Sequence, residues 1–234
     1  MSNVLVLHGF TSHPVLTLGP LPEALRQAGY TVLQPALPGH GTRPEDLAGV
    51  RWEDWYRVAL EAYRSLPQPR AVVGLSMGGL LAAKLAAEEP TEALVALVPA
   101  LGFVDRLAPF APYLSWLIRR GKGTNSVLDP ERRRNNPNYP YFPTKAFVEV
   151  LELARLVPGY LPRVKAPALV LQARHDSTVA EAAVRRYYEL LGSASKEHKV
   201  YDSEHDLLLD SKAAEVAADV TAWLLRVLPP QNRA

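Results

Sequence analysis

Cysteine is absent from the 234 residues, which excludes disulfides, thiolate metal sites and a cysteine nucleophile together. Any covalent chemistry therefore falls to another side chain. No run of about 18 apolar residues occurs, so no membrane span is expected. Charge of one sign is also scarce: 26 Lys and Arg stand against 24 Asp and Glu, a net +2. The basic runs Arg119-Arg120-Gly121-Lys122 and Arg132-Arg133-Arg134 are short and confined to one region, which is too little for a nucleic-acid footprint, and they read as solvated helix face. Met1-Ser2-Asn3 runs straight into Val4-Leu5-Val6-Leu7 without a basic n-region or a signal-length apolar stretch, so a cytoplasmic location is the expectation. Internal repeats and low-complexity segments are missing too.

With 48% apolar and 21% charged side chains, the composition is that of a globular chain long enough for one large core. Short apolar runs alternate with longer amphipathic segments, the pattern of βα units feeding a mostly parallel sheet. The strands are expected at Val4–Leu7, Thr31–Gln34, Ala71–Gly74, Ala93–Val98, Ala168–Ala173 and Glu197–Tyr201. Helices are expected at Leu21–Ala28, Trp52–Leu66, Leu80–Glu88, Ala180–Leu191 and about Lys212–Leu228, the last ended by Pro229-Pro230. From about Phe103 to Arg163 the alternation fails, prolines and aromatics accumulate, and four of the five phenylalanines are found. So long a connection predicts a small, mostly helical cap at 103–163 inserted into a core made of 1–102 and 164–234.

Gly74-Leu75-Ser76-Met77-Gly78-Gly79 lies directly between an apolar strand and a helical run. That strand–Gly-x-Ser-x-Gly–helix setting is what a nucleophile elbow requires, with Ser76 on a strained turn and glycines where strand and helix cross too closely for a Cβ. A serine hydroxyl needs a base, normally a histidine held by a carboxylate. Of six histidines, His205 follows the last strand, where a loop can return over Ser76. His198 sits inside a strand and His40 in a glycine loop, both read as structural. Asp176 falls on the loop after Ala168–Ala173, giving the order Ser76, Asp176, His205, with Asp105 as the fallback acid. His175 is adjacent to Asp176 and should point away from it. Oxyanion donors are expected from the backbone N–H groups of Met77 and of Phe10 in His8-Gly9-Phe10-Thr11. Phe10, Phe103, Phe110, Trp116 and Phe142 are the candidate walls of an acyl pocket, with Tyr113 and Phe147 beside them.

His8-Gly9-Phe10-Thr11, Pro38-Gly39-His40-Gly41, Gly74 to Gly79, Gln172-Ala173-Arg174-His175-Asp176 and Ser203-Glu204-His205-Asp206 together resemble the α/β-hydrolase superfamily, in its bacterial carboxylesterase and monoacylglycerol-lipase-like branch. The resemblance runs from residue 3 to about 226. It implies an α/β-hydrolase sheet of about six to seven strands flanked by helices. It also implies a serine hydrolase of short- to medium-chain carboxylic esters, and of monoacylglycerols, with no cofactor and no metal. The expected partner is a small-molecule ester, taken up by a monomer or homodimer. The same residues leave open an acyl-thioesterase, a C–C bond hydrolase or a non-catalytic ligand-binding homologue. Glu204 stands where the family usually has glycine.

Overall fold

In a computed structural model, which describes residues 2–230, the apolar runs become eight strands and the amphipathic segments eight α-helices, among the described residues. The first half holds β1 (Asn3–Leu7), α1 (Leu21–Gln27), β2 (Thr31–Leu33), α2 (Trp52–Ser65), β3 (Arg70–Leu75), α3 (Met77–Glu88) and β4 (Ala93–Leu97). Next come α4 (Ala111–Leu114), β5 (Arg120–Lys122), α5 (Pro130–Arg134), β6 (Tyr141–Pro143) and α6 (Thr144–Leu156). The chain closes with β7 (Ala168–Ala173), α7 (Glu181–Leu190), β8 (Lys196–Tyr201) and α8 (Ala213–Val227).

Six strands form one all-parallel sheet in the order β2-β1-β3-β4-β7-β8. A parallel sheet is buried on both faces, and alternate residues of each strand divide between two cores. Val4, Val6, Val73, Val95 and Leu171 face α1 and α8, where Leu21, Leu25, Val220 and Trp223 meet them. Leu5, Leu7, Val72, Leu94 and Val170 face the other way, toward Trp55, Ala59 and Tyr63 of α2, Leu80 and Leu81 of α3, Leu153 of α6 and Val184 of α7. Each such aliphatic side chain contributes roughly 1.5–3 kcal/mol by leaving water. Helix α3 is apolar nearly all round and buried along almost its whole length, as befits a helix pressed directly on the sheet centre. Its start at Met77 rather than Leu80 leaves Ser76 as the one residue turning the chain from strand to helix.

The stretch expected to be mostly helical, with no strand foreseen in it, carries a small antiparallel pair, β5 with β6. Each strand is three residues long and the partners are far apart in sequence, so neither the alternation nor a hairpin turn was there to signal it. All of α4, β5, α5, β6 and α6 lies between β4 and β7, which are neighbours in the sheet. The insertion therefore leaves from the carboxyl end of β4, the sheet edge that holds Ser76, and the chain crosses back to the amino end of the sheet before it enters β7. No helix of the described residues is long and apolar enough to cross a membrane.

Candidate active site

Ser76 leaves β3 with φ 54° and ψ −113°, a region that side-chain-bearing residues rarely occupy. The strain is held from both sides. The Ser76 N–H donates to the Leu97 carbonyl at 2.8 Å, and its carbonyl accepts from Gly79 N–H at 3.0 Å. A Cβ on Gly74 would lie 2.1 Å from the Gly78 carbonyl oxygen, and one on Gly78 would lie 2.4 Å from that of Leu7. Both glycines are thus required by contact, because α3 crosses β3 and β1 with no space between.

The loop after β8 returns His205 to this turn. Its Nδ1–H donates to Asp176 Oδ2 at 2.8 Å, and its Nε2 lies 2.9 Å from the Ser76 hydroxyl, which donates to it. Asp176 follows β7 and is itself oriented, its Oδ1 accepting from the backbone N–H groups of Thr178 (2.9 Å) and Val179 (2.7 Å). Burial alone would lower the His205 pKa. The charge and hydrogen bond of Asp176, with Asp206 and Glu204 nearby, more than offset this and hold it above the usual 6.5.

Glu204, the departure from glycine, ties the two loops together. Its Oε2 accepts from the His205 N–H at 2.9 Å and from the Ser177 N–H at 3.1 Å, so base and acid loops share one clamp. Two further carboxylates were not singled out from the sequence. Asp206 is buried and accepts from Asn136 Nδ2 (2.9 Å), Asn138 Nδ2 (3.1 Å) and Ser126 N–H (3.3 Å). Burial raises its pKa despite the opposing pull of His205 and these donors. Asp210 accepts from Ser203 Oγ at 2.8 Å and from the N–H groups of Leu128 and Asp129 at 3.1 and 3.2 Å. The His205 loop thereby grips segment 126–138 of the insertion. The signal was two aspartates bracketing the apolar run Leu207-Leu208-Leu209, beside which a carboxylate must find donors.

His8 lies beneath the loop expected to supply a donor. Its Nδ1–H donates to the Gly9 carbonyl at 2.9 Å and its Nε2 accepts from Leu37 N–H at 3.1 Å. Burial, then the neighbouring His40, keeps His8 well below its usual pKa and neutral. His40 is buried against it, ring centroids 4.7 Å apart, its pKa lowered to about 4 by burial. Gly9 closes on the serine, where a Cβ would meet Ser76 Cβ at 3.2 Å. Among the described residues, neither Phe10 N–H nor Met77 N–H donates to a protein acceptor.

Ser76 and His205 open into a cavity of about 180 Å³ with two unlike walls. Phe10, Phe103, Phe142 and Phe147, with Val150, supply an apolar, largely aromatic lining, whereas Lys122, Thr124, Asn138, Thr178 and Asp206 supply a polar one. Phe10 packs on Phe142 at 5.2 Å and Phe103 on Phe147 at 4.9 Å between centroids. A larger cleft of about 890 Å³ shares Phe103 and Ala108 with this cavity but contains neither Ser76 nor His205. The smaller space is the one with chemistry in it.

Phe10, Phe103 and Phe142 thus lie where an acyl wall was expected, but Phe110 and Trp116 do not. They are 55% and 74% exposed on the outer face and line neither space. Pro109 and Pro112 restrict this stretch to single turns, and those turns direct Ala108 and Ala111 inward and the large side chains out. Asp105 borders the cavity but caps its own loop, accepting from Leu107 N–H at 2.8 Å, and does not reach His205. His175 points away to Asp202, at 2.7 Å, and His198 lies on the outer edge strand against Tyr188. Among the described residues no group of three or more His, Asp or Glu converges as a metal site would.

Residues 2–212 match the family model described as serine aminopeptidase, S33. The chain is 32% identical to a thermostable monoacylglycerol lipase of Bacillus sp. (strain H-257), over 88% of this chain and 84% of that protein. It is 27% identical to a carboxylesterase of Bacillus subtilis (strain 168), over 94% and 91% respectively. Among solved structures, one from work on the metagenome-derived lipolytic enzymes LipS and LipT superposes with a TM-score of 0.88 at 28% identity, covering 96% of this chain and 94% of that one.

Proposed function

The chain belongs to the serine aminopeptidase, S33, family of α/β-hydrolases, and we propose that it is a serine carboxylesterase acting on short- to medium-chain esters, monoacylglycerols among them. The observation that carries this reading is the unbroken hydrogen-bond line from Ser76 Oγ through His205 to Asp176, open to a cavity. In the proposed reaction the Ser76 oxygen attacks the ester carbonyl while His205 Nε2 takes its proton. Asp176 fixes the tautomer with Nδ1 protonated and stabilises the imidazolium. The N–H groups of Phe10 and Met77, free of protein acceptors, face the negative charge that develops on the carbonyl oxygen. His205 returns the proton to the departing alcohol, then takes one from the water that cleaves the acyl-enzyme.

The two walls divide the substrate. Aromatic side chains suit an acyl chain, and Asn138, Thr178 and Asp206 suit a hydroxylated alcohol. At about 180 Å³ the cavity is smaller than the roughly 300–1,000 Å³ of sites for drug-sized ligands, which favours a short acyl group. Residues 103–163 act in this reading as a cap that roofs the reacting carbonyl.

A panel of p-nitrophenyl esters and 1-monoacylglycerols of graded length, run against acyl-thioesters, vinylogous diketones and aminoacyl anilides, tests the assignment. Oxygen esters should be turned over fastest, with an optimum at short to medium length. Preference for a thioester, diketone or anilide would replace the reading with another reaction of the same triad.

A further inference from the structure

The loops that carry the acid and the base are paired backbone to backbone for two bonds past β7 and β8. Arg174 N–H donates to the Tyr201 carbonyl at 2.9 Å and His175 N–H to the Ser203 carbonyl at 3.0 Å. The ladder stops there. Asp176 and His205, the two groups that must meet, both lie past its last bond.

Glu204 supplies the missing rung with its side chain. Its Oε2 accepts from the Ser177 N–H at 3.1 Å, one residue beyond the acid, and from the N–H of the base itself at 2.9 Å. Among the described residues neither N–H has another protein acceptor. The carboxylate starts from a fixed point, because the Glu204 N–H donates to Asp210 Oδ2 at 3.1 Å and the Ser203 hydroxyl to the same oxygen at 2.8 Å. No Lys or Arg of the described residues pairs with Glu204, so its charge is left beside the imidazole.

His205 depends on both position and charge. A misplacement of about 1 Å in a reacting group costs on the order of 10²-fold in rate. The charged groups about its ring are Asp176 from the loop after β7, Asp206 and Glu204 from its own loop, and Asp105 and Lys122 across the cavity. Asp206 is occupied by Asn136, Asn138 and Ser126, and Asp105 by its own loop. Glu204 alone among them bonds to both the base and the acid loop, and it does not line the cavity.

We propose that Glu204 is a positioning residue of the reaction: its carboxylate locks the Asp176 loop to the His205 loop, keeps the line from Ser76 to Asp176 closed, and adds negative charge beside the imidazolium that forms. This rests on the triad reading and extends it by a side chain that acts through His205 without touching substrate.

The test compares Glu204→Ala, Glu204→Gln and Ser76→Ala with the parent on a soluble short-chain p-nitrophenyl ester, across the acidic limb, on protein shown to be folded by circular dichroism. Glu204→Ala should lower kcat by roughly ten- to a hundredfold with KM nearly unchanged. Glutamine keeps an oxygen able to accept both N–H bonds but not the charge, so Glu204→Gln should recover most of that rate. Both variants should move the acidic limb to lower pH, since each removes a negative charge that favours protonated His205. The low-field proton resonance of His205 Nδ1–H should be lost in Glu204→Ala and kept in Glu204→Gln.

Glu204→Ala with the kcat and acidic limb of the parent would overturn the proposal. So would equal losses in Glu204→Ala and Glu204→Gln, or a lower unfolding midpoint as the only change in either. Ser76→Ala as active as the parent would instead remove the triad reading, and the clamp would have nothing to position.

Discussion

Beneath the cavity, Ser76 is held by backbone atoms that leave no alternative: two glycines whose Cβ atoms would collide with main chain, and a turn bonded to β4. Above it, residues 103–163 are assembled from short pieces, with single turns at 108–114 and three-residue strands, and much of their apolar surface faces outward. The floor is over-determined and the roof is not. What joins them is a pair of carboxylates on the His205 loop, Asp206 and Asp210, gripping 126–138. In this chain the nucleophile turn is placed by sterics on the sheet, whereas the residues above the cavity are held by side-chain contacts among short elements.

Substitutions should separate the two regions by size of effect. Ser76→Ala should lower kcat on the best ester by something on the order of 10⁴–10⁶-fold in steady-state assays, with the fold unchanged by circular dichroism. Asp176→Asn should cost on the order of 10⁴-fold, since the imidazole then loses the acceptor that sets its tautomer. With neutral His205 as the proposed base and its pKa raised, the acidic limb of the kcat/KM profile should lie above pH 6.5 and activity should fall as pH drops through it. Gly78→Ala should cost about 3 kcal/mol or more in denaturant unfolding, because the added carbon meets the Leu7 and His8 carbonyls. A mild effect there would mean that the floor gives way more easily than its contacts imply.

The smallest effect belongs to the roof. Phe103 stands between the cavity and the larger cleft, and Phe103→Ala should open one into the other. The ratio of long- to short-chain ester hydrolysis should then rise by roughly tenfold, on a scale of about 1–3 kcal/mol per methylene accommodated. The pH limb should stay where it is, and the lost packing on Phe147 should lower the unfolding free energy by less than the roughly 3–5 kcal/mol of a fully buried phenylalanine. A shift of the pH limb would show that roof and floor are less separate than they look.

The same contrast governs what is legible in the amino-acid sequence. Strands and helices on the sheet carry an apolar pattern imposed by burial on two faces, so Ala168–Ala173 was legible to the residue and the other strands to within a residue or two at each end. The meeting of Ser76, Asp176 and His205 is legible because each follows a strand, and a parallel sheet brings strand ends together. Phe110 and Trp116 have the composition of pocket walls, but proline-limited turns put them outside. Asp206, Asn136 and Asn138 gave no pattern at all, since their meeting depends on how the insertion folds back over the His205 loop.

The central claim is that Ser76 is the nucleophile. Treatment of the folded protein with a fluorophosphonate, followed by peptide mapping, tests it most directly. A single adduct should form on Ser76, in step with loss of esterase activity, and should be abolished by Ser76→Ala or by unfolding. Ester hydrolysis that persists with Ser76 unlabelled, or an adduct on any other residue that tracks the loss of activity, would contradict it.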